Sequence, residues 1–126
     1  MKRILIADDD SHIRLLVRTT LEGPDCEVLE ASNGRAAREL ASKEMPDLVI
    51  LDWMMPNEKG VDVLRALRED RETSGLPVIM LTGQSDKAYR NAAILLGIRG
   101  YLVKPFSPVE LIELVDKVLE GERVSS

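Results

Sequence analysis

The sequence predicts an α/β fold built on a doubly wound parallel sheet of five strands with helices on both faces. Two observations lead to this prediction. Short apolar runs recur along the 126 residues, and each is followed by a stretch whose apolar residues repeat at helical spacing. Strands that alternate with helices form a parallel sheet through right-handed crossovers, which leaves few topologies. We expect a flavodoxin-like arrangement with strand order 2-1-3-4-5.

The five predicted strands are the apolar runs rich in branched residues. The third run, Val49-Ile50-Leu51, has no polar residue among its members, which is typical of a strand buried on both faces. In order along the chain, the predicted strands are Ile4–Ala7, Val28–Ala31, Leu48–Leu51, Val78–Leu81 and Tyr101–Val103.

The predicted helices each show one apolar stripe. The residues of these stripes are Ile13, Leu16, Val17 and Leu21 in the first helix, Ala36, Ala37, Leu40 and Ala41 in the second, Val61, Leu64 and Leu67 in the third, and Ala88, Ala92 and Leu95 in the fourth. The fifth helix is predicted over 108–119, with Ser107 and Glu110 as a capping box and Pro108 at the first helical position.

Length and composition indicate one ordinary domain. We expect the domain to cover 1–121, followed by a short C-terminal tail at 122–126, and the chain either stands alone or is the front end of a longer protein. No apolar run approaches the roughly 20 residues that cross a bilayer, which excludes a membrane protein. The single cysteine, Cys26, and an amino terminus unlike a signal peptide predict a cytoplasmic location. A net charge of −5 argues against direct binding of nucleic acid.

Polar residues follow four of the predicted strands at the point where each strand ends. They are Asp8, Asp9 and Asp10 after the first strand, Asp52 after the third, Thr82 after the fourth and Lys104 after the fifth. Ligands of open parallel sheets bind beyond the carboxyl ends of the strands, near the point where the winding reverses. The first and third strands are predicted neighbours, so we expect the acids after them to converge, with Thr82 and Lys104 beside them.

The predicted cluster of carboxylates needs positive charge. Two carboxylates about 4 Å apart repel by several kcal/mol at the effective dielectric constant of a protein surface. Lys104 supplies one positive charge, and an all-oxygen ligand set suits a hard divalent ion such as Mg²⁺, with Mn²⁺ as a possible substitute. A carboxylate at the tip of a rigid strand is well placed to attack phosphorus, so we predict that Asp52 forms an aspartyl phosphate, with Thr82 and Lys104 neutralising the phosphoryl oxygens.

Four stretches carry a family resemblance: ILIADDD, PDLVILDWMMPNEKG, PVIMLTG and GYLVKPF, in this order and spacing. Together they resemble the receiver domain of bacterial two-component response regulators, over residues 3–119. In length the chain is similar to the single-domain chemotaxis-type regulators. The resemblance implies a phosphorelay signalling domain, not an enzyme, that takes a phosphoryl group from the phosphohistidine of a sensor histidine kinase or phosphotransfer protein.

The resemblance also implies a role for each site residue. Asp52 would be the phosphoacceptor, Asp9 a direct Mg²⁺ ligand, and Asp8 a ligand that often acts through water. The backbone carbonyl of Met54 would be a further protein ligand of the ion.

A second set of implied roles concerns the conformational switch. Thr82 would be the switch hydroxyl that moves toward the phosphoryl group, and Tyr101 the aromatic residue whose rotamer follows. Lys104 would pair with the phosphate, and the Lys104–Pro105 bond would be cis. The surface formed by the fourth helix, fifth strand and fifth helix would bind a downstream effector protein.

Three other functions are weighed against this one. An aspartate-nucleophile phosphatase of the haloacid dehalogenase type also forms an acyl phosphate, but it needs a second Asp two residues after the nucleophile, where this chain has Met54. A flavin or nucleotide binder would have a turn rich in Gly, Ser or Thr after the first strand, where this chain has three aspartates. A receiver-like module that switches without phosphorylation is disfavoured because Asp9, Asp52, Thr82 and Lys104 are all present.

Two further predictions concern arginines. Arg14 and Arg18 of the first helix are predicted to lie mostly on a solvated face. Dimerising, DNA-binding members of the family often carry two acids just before the tyrosine, where this chain has Arg99 and Gly100, and this difference disfavours charge-paired dimers.

Overall fold

The structure is a computed structural model that describes residues 1–83 and 87–121, except for the side chains of 87–89. The strands in these ranges are β1 (Lys2–Ala7), β2 (Cys26–Ala31), β3 (Leu48–Asp52), β4 (Met54–Met55), β5 (Glu58–Lys59), β6 (Val78–Thr82) and β7 (Gly100–Val103). The helices are α1 (Ser11–Leu21), α2 (Gly34–Glu44), α3 (Gly60–Glu69), α4 (Lys87–Leu95) and α5 (Pro108–Leu119). None of these helices is both long enough and apolar enough to cross a membrane. The predicted tail at 122–126 lies outside the described residues.

The five longer strands form one sheet in the order β2-β1-β3-β6-β7. All of its neighbouring strands are parallel. Because β6 and β7 are the fourth and fifth of the predicted strands, the predicted order 2-1-3-4-5 is confirmed. The other two strands, β4 and β5, form a separate antiparallel hairpin just after β3, which no apolar run in the sequence predicts.

Two apolar layers cover the sheet, one on each face. One layer contains side chains of α1 and α5, and the other contains side chains of α2, α3 and α4. Successive residues of a strand point to opposite faces, so Ile4 and Ile6 of β1 pack in the first layer while Leu5 and Ala7 pack in the second. Burying one such Ile or Leu side chain contributes about 1.5–3 kcal/mol, so these layers hold the strand ends in place.

Polar caps determine where three helices begin. Asp10 caps α1, Asn33 caps α2 and Ser107 caps α5, each accepting a hydrogen bond from a backbone N–H of the first turn. The predicted capping box of Ser107 and Glu110 is confirmed, with Pro108 in the first turn. The first of these caps, Asp10, is the last residue of the acidic triplet, so the turn from β1 into α1 is short.

The guanidinium of Arg68 holds the carboxyl end of α4 against α3. Its Nε donates to the carbonyl of Leu96 at 2.7 Å, and its two Nη atoms donate to the carbonyls of Leu76 at 2.8 Å and Gly97 at 3.3 Å. Burial, and then the nearby charge of Arg99, lower the pKa of Arg68. The carbonyls at a helix carboxyl end carry partial negative charge, and this offsets part of the cost of a half-buried cation.

Candidate functional site

The register of the sheet brings the ends of its central strands together. The pairing of β1 with β3 ends with Ala7 beside Leu51, so the next residue of each chain segment, Asp8 and Asp52, lies at the same carboxyl edge of the sheet. On the other side of β3, β6 ends at Thr82, and Lys104 directly follows β7. Four of the side chains predicted to converge therefore come from four adjacent strands.

Three carboxylates meet at this edge. Oxygen atoms of Asp8, Asp9 and Asp52 all lie within 4.8 Å of one another. Asp8 is fully buried, Asp52 is 5% exposed and Asp9 is exposed. They line a pocket of about 460 Å³ whose other residues are Asp10, Trp53, Met54, Thr82, Gly83 and Lys104.

Lys104 bridges the two buried acids. Its Nζ donates to Asp8 Oδ2 at 2.7 Å and to Asp52 Oδ1 at 3.2 Å. Burial alone would lower the pKa of Lys104, but the hydrogen bond to Asp8 and the charges of both carboxylates outweigh burial and raise it. The ammonium is therefore charged at neutral pH. The Lys104–Pro105 peptide bond is cis.

Asp52 has the most strongly altered acidity in the site. Burial is the largest cause, and the charge of Asp8 is the next, and together they raise the pKa of Asp52 to about 6 against the opposing effect of Lys104. The charge of Asp9 adds a smaller increase. One lysine thus does not fully compensate three neighbouring carboxylates, and a further cation would favour the ionised form of Asp52.

The remaining predicted residues lie around the acids. Thr82 is almost fully buried and lines the pocket, as does Met54, whose side chain is exposed. Tyr101 is buried in the layer formed with α2, α3 and α4. The guanidinium carbon of Arg90 lies 4.9 Å from the centre of the Tyr101 ring, a cation–π contact between α4 and β7.

For Arg14, the prediction of a solvated face is wrong. Its side chain is 17% exposed, its Nη1 donates to the carbonyl of Asp8 at 2.8 Å, and its Nε donates to Glu30 Oε1 at 3.0 Å. Glu30 lies 16 residues further along the chain, on β2, so no local pattern in the sequence indicates this pair. Arg18, with 44% exposure, does lie on the solvated face.

The donor set fits a hard divalent cation. All three clustered side chains are carboxylates, Asp9 faces solvent, and the pocket is open to water. Mg²⁺ prefers oxygen ligands, keeps several waters and usually takes one or two carboxylates. Burial is the largest cause that raises the pKa of Asp52, and the charge of Asp8 is the next; a cation in the pocket would oppose the second of these.

Comparisons with known proteins agree with this geometry. The sequence profile of the response regulator receiver domain matches residues 4–116. This chain belongs to that family. The receiver domain is 38% identical to the phosphate regulon transcriptional regulatory protein PhoB of Pseudomonas aeruginosa over 118 residues, which is 94% of this chain and 52% of PhoB. It is 40% identical to the transcriptional regulatory protein SrrA of Staphylococcus aureus, over 92% of this chain and 47% of SrrA.

Solved structures show the same fold as this receiver domain. The chemotaxis response regulator CheY4 of Vibrio cholerae superimposes with a TM-score of 0.87 at 33% identity, covering 94% of this chain and 98% of CheY4. The receiver domain of AraT from Geobacillus stearothermophilus gives a TM-score of 0.85 at 34% identity, covering 95% of this chain and 94% of that one. The chain thus spans about half the length of the curated relatives above but nearly all of these two structures.

In this receiver domain, the turn after Asp52 is closed by a glycine. The backbone N–H of Gly60 donates to the carbonyl of Trp53 at 2.7 Å, which brings the start of α3 against the end of β3. A Cβ atom at Gly60 would lie 2.2 Å from the carbonyl oxygen of Asp52. Only a residue without a side chain permits this approach.

Proposed function

We propose that this domain accepts a phosphoryl group on Asp52 from the phosphohistidine of a sensor histidine kinase or phosphotransfer protein. The observation that carries the proposal is the arrangement of Asp52, which is buried at a strand end, accepts a hydrogen bond from Lys104, and is one of three clustered carboxylates. Membership of the receiver domain family supports the same function.

In the proposed reaction, a carboxylate oxygen of Asp52 bonds to phosphorus as the P–N bond of the donor breaks. The donor imidazole keeps the electron pair of that bond and takes up a proton. With a pKa of about 6, Asp52 is mostly ionised at neutral pH and is therefore a competent nucleophile. The Lys104 ammonium, 3.2 Å from Asp52 Oδ1, is placed to neutralise an oxygen of the arriving phosphoryl group, and the Thr82 hydroxyl is proposed to bind another.

We propose that Asp8, Asp9, Asp52 and the backbone carbonyl of Met54 hold Mg²⁺, with Mn²⁺ as a substitute. A bound divalent ion supplies positive charge that offsets the carboxylates and the phosphoryl oxygens. The protein's own contribution is to keep the acids together, which Lys104 does by bonding to both Asp8 and Asp52.

We propose that phosphorylation shifts an equilibrium between two conformations, with Thr82 and Tyr101 as the switch residues. Tyr101 connects β7 to α4 through its contact with Arg90, so a change at Thr82, which ends the neighbouring strand, would be transmitted to this surface. The face formed by α4, β7 and α5 is the proposed binding site for a downstream effector protein.

We further propose that the receiver domain covers residues 1–121 and that it works in the cytoplasm without binding nucleic acid itself. The net charge of −5 disfavours contact with a polyanion. In this proposal the domain assists its own phosphorylation and dephosphorylation but does not turn over small substrates as an enzyme.

Phosphorylation is tested by incubation with Mg²⁺ and acetyl phosphate followed by intact-protein mass spectrometry. We expect the wild type to gain the mass of one phosphoryl group and Asp52→Asn to gain none. Asp62→Asn is the matched control, because Asp62 is an exposed acid of α3 away from the pocket, and it should be phosphorylated like the wild type. Steady release of free phosphate without an adduct would instead indicate a phosphatase.

Binding of Mg²⁺ is expected to change the fluorescence of Trp53. This residue is the sole tryptophan, is buried, and lines the pocket next to Asp52. Titration with Mg²⁺ should give a saturating change in the wild type. Asp9→Asn should raise the Kd for Mg²⁺ by more than roughly tenfold, the effect typical of losing an outer-shell partner. Asp62→Asn is the control, since Asp62 is an exposed acid of α3 that does not line the pocket, and it should leave the titration nearly unchanged. Emission that does not respond to millimolar Mg²⁺ would argue against the proposed ion site.

A further inference from the structure

A row of ion pairs connects the carbonyl of Asp8 to the surface of α1. Arg14 donates to this carbonyl and to Glu30, and the other carboxylate oxygen of Glu30 accepts from Arg18. Arg18 also donates to Glu22 at 3.2 Å. The row therefore starts at the acidic pocket, crosses β2 at Glu30 and ends on exposed residues of the same helix.

The position of Arg14 is unfavourable for a cation unless specific contacts compensate. It lies near the amino end of α1, where the helix dipole favours negative charge, and the first turn of α1 contains no acid. Its bonds to Glu30 and to the Asp8 carbonyl provide that compensation. Contacts with the end of β1 and with β2 thus hold the largely buried side chain of Arg14 near the positive end of the helix.

The bond from Arg14 acts on Asp9 through the backbone. The carbonyl of Asp8 belongs to the peptide unit that ends at the Cα of Asp9, and a peptide unit is planar. A donor fixed to that carbonyl therefore fixes the position from which the Asp9 side chain extends. The carboxylate of Asp8 is already held by Lys104 and by the backbone N–H of Asp10. The Asp9 carboxylate, in contrast, is exposed and accepts no hydrogen bond from the described residues, so the position of its backbone is what limits where the carboxylate can reach.

We propose that Arg14 is a positioning residue that directs Asp9 toward the cation site between Asp9 and Asp52. This inference rests on the proposed function, since it assigns Arg14 a part in the same site. Arg14 touches neither the cation nor the phosphoryl group. It acts by holding the peptide unit between Asp8 and Asp9, and Glu30 holds Arg14.

The test is the Kd for Mg²⁺, measured by Trp53 fluorescence, in three variants. Arg14→Gln should raise the Kd for Mg²⁺ by about tenfold, which is the lower end of the range for losing an outer-shell partner. Arg14→Lys keeps a cationic donor and should recover part of this loss. Arg18→Gln removes ion pairs to Glu30 and Glu22 but no bond to Asp8, and should shift the Kd by less than about twofold.

Thermal melts in EDTA separate positioning from folding. If Arg14→Gln melts like Arg18→Gln and still binds Mg²⁺ more weakly, the positioning role is supported. If Arg14→Gln is less stable, the Kd for Mg²⁺ is compared under conditions where near-ultraviolet circular dichroism shows that all variants are equally folded. A positioning role then requires that the Kd rises from the wild type to Arg14→Lys and again to Arg14→Gln.

Two results would overturn the inference, and they are distinguishable. If the wild type binds Mg²⁺ and is phosphorylated while Arg14→Gln keeps the wild-type Kd, the role of Arg14 is wrong and the proposed function stands. If the wild type neither binds Mg²⁺ nor gains a phosphoryl group, the proposed function fails and the role of Arg14 fails with it.

Discussion

Replacing Gly60 with alanine is expected to destabilise the domain by about 3 kcal/mol or more, a large part of the total stability of a domain of this size. The new Cβ would lie 2.2 Å from the carbonyl oxygen of Asp52 and 2.9 Å from the Cα of Trp53. Both atoms belong to the backbone, so they cannot move aside without shifting the end of β3. Urea denaturation monitored by far-ultraviolet circular dichroism measures the loss.

Two other glycines provide graded controls for this prediction. Nothing lies within 4 Å of a Cβ at Gly75, so Gly75→Ala should change stability by less than about 1 kcal/mol. A Cβ at Gly34 would lie 2.4 Å from Glu58 Oε1 and 2.8 Å from Val63 Cγ2. Both are side-chain atoms, not backbone atoms, so Gly34→Ala should fall between the other two variants. A Gly60→Ala protein as stable as Gly75→Ala would show that the turn after Asp52 relaxes easily.

Replacing Asp52 with asparagine should stabilise the metal-free domain at neutral and alkaline pH. Burial and the charge of Asp8 raise the pKa of Asp52 in the folded state to about 6, from an ordinary value of 3.8. The folded state therefore binds this proton more tightly than the unfolded state, and stability falls as the pH rises from about 4 to about 6. Above that window the cost of ionising Asp52 is fully present and is on the order of 3 kcal/mol. Asparagine avoids this cost but loses the bond to Lys104, so we expect a net gain of about 1–2 kcal/mol.

The pH dependence distinguishes this cause from a general effect of the substitution. In EDTA, the gain in the free energy of unfolding should be largest near pH 8 and should shrink as the pH falls from about 6 to about 4, because the folded wild type takes up a proton at Asp52 over this range. Asp62→Asn serves as the control for replacing an aspartate with asparagine outside the pocket, because its side chain is about half exposed on α3. Mg²⁺ should stabilise the wild type more than Asp52→Asn. An Asp52→Asn variant that is less stable than the wild type near pH 8 would contradict the assigned cause.

The layered fold was predictable because its signals are local. Apolar runs, helical stripes and the capping box of α5 each depend on neighbouring residues, and the bounds of α5 agree with the prediction. Strand ends were less predictable, since β1 and β2 extend beyond their apolar runs through backbone pairing of Lys2 with Cys26 and Arg3 with Glu27. The hairpin of β4 and β5 was missed because each strand has only two residues.

The residues of the candidate site that directly follow the strands could be predicted from the sequence. Asp8, Asp52, Thr82 and Lys104 follow from strand order alone, because the carboxyl ends of parallel strands share one edge. The part of Arg14 could not be predicted, since it depends on the side-chain contact with Glu30 across two elements. The contact between Arg90 and Tyr101 is of the same kind, because it arises from how α4 packs on β7.

Because the residues of β1 alternate between the two apolar layers, insertions and deletions inside the strands should be poorly tolerated. Inserting or deleting one codon inside β1, β3 or β7 would turn the strand's terminal acid or lysine to the opposite side of the sheet, even if the strand itself survived. Length changes should therefore be tolerated at the far edge of the sheet, for example in the segment between α3 and β6, whose residues Ser74 and Gly75 are exposed. The number of residues in each strand therefore constrains this domain more strongly than the identity of any single apolar residue in the strand.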